Sequence, residues 1–290
     1  MKTIATPQLS IQVSKHGAEL CSIRSNGKEY LWQADPAFWK RHSPVLFPIV
    51  GSVWENEYRN EGVTYSLSQH GFARDREFEL ILEHPDELRY RLQSDEETKK
   101  KYPFDFCLEI GYRIKNNQIE VLWEVKNTGQ RELPFQIGAH PAFYYPDFDA
   151  ETNERGFFGF DKNEGLSTIL ISEKGCVDPD TSYPIKLTDG LLPLDTHTFD
   201  QDALILENNQ VHKVTLYNKE KQPHLSLLFH DAPVVGLWSP PAKNAPFVCI
   251  EPWYGRCDPA HYAGEFKDKD WMQHLAPGEA FQGGYIIVIE

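Results

Sequence analysis

Long apolar runs are missing from this chain. None of its 290 residues lie in a stretch approaching the roughly 18 apolar residues of a membrane span. Residues 1–10 have neither the basic start nor the apolar centre of a secretory leader. The expected address is therefore the cytoplasm, with no membrane partner. Cysteine is sparse: Cys21, Cys107, Cys176, Cys249 and Cys257 are widely spaced, odd in number and never in a C-x-x-C pair. That pattern argues against a disulfide framework or zinc knuckle and predicts reduced thiols. Positive charge is also short, with 29 bases against 43 acids and a net charge of −14. A phosphate backbone needs a basic footprint, and the only basic run, Lys99-Lys100-Lys101, follows Asp95-Glu96-Glu97 and reads as a solvated segment, so nucleic acid is not an expected partner. The chain also lacks a Walker A loop, a G-x-S-x-G elbow, a G-x-G-x-x-G turn and an H-E-x-x-H pair, so neither nucleotide chemistry nor a catalytic metal is expected.

What the chain has is short alternating or apolar runs from end to end. They cover 9–13, 18–23, 63–67, 77–82, 88–92, 106–114, 119–126, 168–172, 203–207, 211–217, 225–229, 234–238, 247–251 and 281–289, broken by Gly, Pro, Asn and Asp. This spacing predicts an all-β fold, a large antiparallel sandwich or barrel. Asn26-Gly27 and the segment Lys115–Gln118 read as hairpin turns. Helices are expected only as decoration: one or two turns from Asp35-Pro36, a short helix with a capping box at Ser94–Glu97, and a third near Asp268–His274. Residues 145–200, rich in Asp, Gly and Pro, read as a long excursion over one sheet. No linker or fixed-period repeat divides the chain, so a single domain over 1–290 is expected.

Three stretches end an apolar run on an ionisable side chain beside Pro or Gly. In Phe247-Val248-Cys249-Ile250-Glu251-Pro252-Trp253-Tyr254, Pro252 cannot donate to a ladder, so the strand is expected to stop at Glu251. A carboxylate desolvated by neighbouring rings has a raised proton affinity, which suits a general base. The competing reading is an ordinary strand-exit ion pair with Arg256. Gln69-His70-Gly71-Phe72-Ala73-Arg74 and Ile137-Gly138-Ala139-His140-Pro141 supply two imidazoles and a guanidinium. A lone strand-end histidine is more often structural than catalytic. Three stretches of the same build together supply a carboxylate, two imidazoles and a cation.

In order, Pro44-Val45-Leu46-Phe47-Pro48-Ile49-Val50-Gly51, His70-Gly71-Phe72-Ala73-Arg74, Gly138-Ala139-His140-Pro141-Ala142-Phe143 and Glu251-Pro252-Trp253 resemble the aldose 1-epimerase (galactose mutarotase) family, in its shorter LacX-like branch. The resemblance covers nearly the whole chain. It implies a galactose mutarotase-like β-supersandwich that binds a hexose and interconverts its α and β anomers without a cofactor. It places the general base on Glu251 and the general acid on His140. His70 falls where the family's substrate-contacting histidine stands, with Arg74 beside it. The sugar-binding aspartate corresponds to Asp202, with Asp200 equally near. Trp253, Phe143, Phe72 and Trp54 are candidate rings for the apolar face of a sugar, although core packing explains such rings as well.

One departure stands out. Relatives carry an arginine after the Phe-Pro-x-x-Gly stretch, whereas Gly51 is followed here by Ser52. Either Arg41 or Arg74 takes that role, or the ligand differs. The partner implied is a small sugar, a hexose or hexose phosphate; a binding module without turnover is the competing class. Oligomeric state is not legible. Anomerisation needs a group that takes the C1 hydroxyl proton and one that protonates the ring oxygen, so an ionised Glu251 and a protonated His140 are expected at rest.

Overall fold

A computed structural model describes residues 1–229 and 231–290. Two large antiparallel sheets dominate it. The first has nine strands in the spatial order Leu191–Asp195, Glu154–Phe160, Lys213–Tyr217, Pro223–Leu228, Ala280–Ile289, Gln118–Asn127, Phe106–Lys115, Glu87–Gln93 and Glu79–Glu83. The second has eight: Tyr183–Pro184, Ser167–Leu170, Leu204–Leu206, Val234–Trp238, Phe247–Tyr254, Ile137–Ala139 and Val45–Leu46, with Ala142–Tyr144 also pairing to Phe247–Tyr254. Their inner faces share one core, in which Val248, Ile250 and Leu237 of the second sheet join Tyr112, Val121, Leu225 and Ile287 of the first. This is the expected β-sandwich.

The turn chemistry explains the hairpins. Asn26 and Gly27 both have positive φ, 50° and 79°, between the paired Ser25 and Lys28, as a two-residue turn matched to strand twist requires. Asn116, at φ 55°, opens the loop that joins Lys115 to its partner Gln118.

Several local expectations are corrected. The segment from Asp35 makes a single turn, in which Phe38 and Trp39 both donate to the Asp35 carbonyl, and no helix propagates; nucleating a turn is costly without further residues to extend it. The short helix spans Glu96–Lys99 and is capped by Asp95, not Ser94, in a reciprocal box with Thr98. Near the end, a 3₁₀ turn covers Phe266–Asp268 and Trp271 takes φ 59°, so Gln273–Leu275 leaves as a strand on Leu133–Phe135. Residues 145–200 are no excursion over one sheet, since they supply edge strands to both.

The strand at Glu251 does not stop there. It runs Phe247–Tyr254 and is buried throughout. Ile250 donates to the Pro141 carbonyl, so Pro252, two residues on, turns its missing N–H to the same side. There the neighbouring strand is itself interrupted, between Ile137–Ala139 and Ala142–Tyr144. The proline therefore costs no ladder bond, which is the condition under which a sheet interior tolerates one.

Candidate active site

Alternation along Phe247–Tyr254 decides which side chains leave the core. Val248, Ile250 and Tyr254 enter the inter-sheet core, while Phe247, Cys249 and Trp253 pack on the opposite face of the sheet. The period of two puts Glu251 on that opposite face. On one flank Gly236 pairs with Glu251. On the other, the registers Ala142↔Cys249 and Gly138↔Trp253 bracket His140 and place it across from Glu251. Two residues far apart in sequence thus become cross-strand neighbours. Nε2 of His140 lies 3.3 Å from Oε2 of Glu251, and both side chains are almost wholly buried.

These two groups form part of the wall of a cavity of about 250 Å³. His70, Arg74, Asp202 and Trp253 line it too, with Trp39 and Trp238. The cavity therefore collects six of the seven residues singled out from the sequence. Arg41 is the exception: it does not line the cavity and holds Asp75 at 2.8 Å. Of the two arginines considered as substitutes for the one missing at Ser52, Arg74 is the one at the wall. Asp202 lines the cavity, whereas Asp200 faces the adjoining groove and pairs with His197. Arg256 does not pair with Glu251, because its guanidinium is taken by Glu207 and Asp270. The ion-pair reading of the strand exit fails.

Glycines shape the walls. Gly71 has φ 68°, and a Cβ there would lie 2.2 Å from the Phe47 carbonyl oxygen, so only glycine lets this segment bridge to Phe47 and carry His70 to the site. The Trp253 ring lies across Gly138 and Gly236 on the flanking strands, where added Cβ atoms would meet it at 2.7 and 2.4 Å. Its indole donates to the Ala139 carbonyl at 3.3 Å.

Two rings of the cavity wall escaped sequence reasoning. Trp39 stacks on His140, with centroids 4.7 Å apart, and Trp238 meets the same imidazole edge-on at 5.3 Å. Trp39 sits on the irregular single turn, and Trp238 ends a strand whose period-two pattern looks like any other. The one signal was the half-amphipathic character of the ring itself. Phe143 and Phe72 are core residues, and Trp54 packs on His261 and under Lys174, away from the cavity.

Burial works against the expected resting charges. Burial pushes Glu251 well above the usual carboxylate range, and the nearby Asp202 carboxylate adds to the shift. Burial pulls His140 down to about 3, with Arg74 and Arg41 contributing. Burial thus favours the neutral form of each group. The neutral pair and the carboxylate–imidazolium pair hold the same single proton, and Nε2 and Oε2 stand 3.3 Å apart.

His70 is fixed as a donor. The Gly51 N–H donates to its Nδ1 at 3.0 Å, which leaves the proton on Nε2. Burial, His140 and Arg74 all lower its basicity, so it stays neutral. Arg74 is lowered to about 10, chiefly by burial, and remains a cation at neutral pH. Its Nε is buried with no hydrogen-bond partner among the described residues.

A stability prediction follows from the Glu251 shift. A carboxyl whose folded pKa is raised binds more protons in the native than in the unfolded state, so its contribution falls as pH rises above the unfolded value near 4.5. Glu251→Gln should therefore melt higher than the parent, by a margin that widens as pH rises above about 5. Melting curves at several pH values test this, and a constant or shrinking margin would contradict it.

The comparisons with known proteins agree with this geometry. The chain is 30% identical to the protein LacX of Lactococcus lactis subsp. lactis, over 97% of this chain and 96% of that one. The structure superimposes with a TM-score of 0.93 on a galactose mutarotase related enzyme from Lactobacillus acidophilus, at 36% identity, covering 100% of this chain and 97% of the other. It matches a galactose mutarotase-like protein from Lactobacillus casei equally well, at TM-score 0.93 and 29% identity, with both chains fully covered. The aldose 1-epimerase family model matches residues 2–287. With nearly its whole length matched, the chain belongs to the aldose 1-epimerase family.

Proposed function

We propose that the protein interconverts the α and β anomers of a free hexose. The observation that carries this reading is the 3.3 Å approach of His140 to Glu251 on a cavity wall. Ring opening removes a proton from O1 and adds one to O5, and both oxygens are bonded to C1. An acid and a base must therefore converge within a few ångströms. Glu251 takes the O1 proton as a carboxylate and His140 delivers a proton to O5 as an imidazolium. The carboxylate–imidazolium arrangement forms when the single proton of the pair crosses to His140 with sugar bound. After rotation about C1–C2 the same steps run in reverse and the pair is restored, with no net proton change.

His70 and Arg74 hold the ring in place, one through the Nε2–H and the other through its unpartnered Nε. Asp202 accepts from a sugar hydroxyl, and Trp39, Trp238 and Trp253 offer ring faces to its CH groups. Substitution of His70 or Arg74 by alanine should raise KM together with lowering kcat. An unchanged KM in both variants would contradict the positioning role.

A free hexose is favoured over its phosphate for a local reason. Ser52, which stands where relatives carry an arginine, has no charge to offer a phosphate and is packed against Gly175, where an added Cβ would lie 2.9 Å from its hydroxyl. Among the described residues, Arg74 is the one arginine or lysine that lines the cavity, which Glu251 and Asp202 line too. Polarimetry on freshly dissolved α-glucose or α-galactose tests the assignment. Faster optical relaxation supports it, and binding without faster relaxation would make the protein a carbohydrate-binding module. Strong competition by hexose 6-phosphates would move the substrate to that class.

A further inference from the structure

We propose that His140, Cys249 and Glu251 form a site for a soft divalent cation of the zinc class, and that such a cation inhibits by occupying the catalytic pair. One ligand atom from each residue lies within 4.8 Å of the other two, and all three residues are buried. The inhibitory half of the statement rests on the proposed function. The binding half does not.

The geometry arises from the sheet. Cys249 precedes Glu251 by two residues, so the pleat turns both to the same face, and His140 stands across the ladder. A tetrahedral metal bound at about 2.0 Å to a nitrogen and an oxygen separates them by about 3.3 Å. That is the Nε2 to Oε2 distance observed. A zinc–sulfur bond of about 2.3 Å asks for an edge of about 3.6 Å, so the thiolate moves inward by at most about 1.2 Å.

Other features favour a cation. Oε2 of Glu251 is buried with no hydrogen-bond partner among the described residues, and so is Nδ1 of His140. The carboxylate is met by His140 at 3.3 Å and by a hydrogen bond from the Trp253 indole. Asp202 brings a second acidic group to the cavity through which an ion would enter. A set of one thiolate, one imidazole and one carboxylate selects zinc, cobalt or cadmium over magnesium or calcium. His140 and Glu251 line the cavity, from which a water would complete the shell. Binding releases the thiol proton and the proton shared by the pair, since all ligands must be deprotonated. With the pair ligated, neither residue is free to move a proton, and metal and sugar exclude one another.

The test uses the full-length protein with cobalt(II) chloride and zinc chloride as probes. Cobalt(II) should give a thiolate-to-metal absorption band in the near ultraviolet, saturating at one ion per chain and abolished by zinc. Cys249→Ser should remove that band and raise the zinc concentration needed to inhibit mutarotation by at least about 10²-fold, because even outer-shell partners of a metal contribute 10–100-fold. Basal turnover in the variant should stay within about threefold of the parent. Cys249→Ala serves the same purpose if the buried hydroxyl impairs folding, and His140→Ala should weaken the cobalt band independently. A missing band, a band that survives in the Cys249 variants, or zinc inhibition unchanged by them would overturn the site. A cobalt band that depends on Cys249 in a protein without mutarotase activity would sink the proposed function and leave the metal site standing.

Discussion

Glu251→Gln is expected to slow the enzyme-catalysed optical relaxation of α-glucose or α-galactose by about 10²–10⁴-fold, the usual contribution of one positioned base. Glutamine keeps the shape of the protonated carboxyl. The fold should therefore survive. The amide cannot take the O1 proton, and it leaves His140 with no partner to exchange with. Loss of turnover should come with a gain in stability, because the buried carboxyl that burial drives neutral no longer has to be ionised in the unfolded chain and protonated in the folded one. Near-parental turnover in this variant would remove Glu251 from the mechanism. Loss of turnover with loss of folding would show instead that the residue is structural.

His140→Ala should cost a comparable factor, about 10²–10⁴-fold in kcat, for a different reason. Glu251 remains and can still bind O1, but nothing at the site then protonates the ring oxygen as it leaves C1. The substitution also removes the ring that Trp39 covers, so some loss of affinity accompanies the loss of rate. The pH signature separates chemistry from packing. His140 is held near 3 by burial, so the parent folded state resists protonating it, and stability tied to this group is lost as pH falls from the unfolded value near 6.5 toward 3. The alanine variant should lack that part of the acid-side loss. Turnover retained within a few-fold would exclude His140 as the acid.

The sequence revealed the strands because alternation and turn residues act locally. Turns such as Asn26-Gly27 and Asn116-Asn117 need only their own φ angles, and the runs between them need only a buried and a less buried face. The chemical residues of the site were legible for a related reason: Glu251, His140, His70 and Arg74 each stand at a break in an apolar run. What was not legible depends on neighbours. Pro252 looked like a strand end because nothing in its own segment says that the adjacent strand is broken opposite it. Arg41 looked equivalent to Arg74, and both approach Asp75, but Arg74 alone of the two lines the cavity. Burial opposes the charges expected on Glu251 and His140, because mutual attraction was weighed without the desolvation that burial imposes. Trp39 and Trp238 could not be separated from core tryptophans without knowing which face of which strand meets the cavity.

The ladder that sets His140 against Glu251 also divides the molecule into a fixed and a variable part. Ladder pairs on both sides of the break that holds His140 fix their separation, so it changes only if whole strands slide, and the chemistry is insulated from drift elsewhere. The rim is different: Trp39, Gly175 and Asp202 lie outside the strands. Replacement of those segments offers a route to new sugar preferences in laboratory evolution with the proton-transfer machinery untouched.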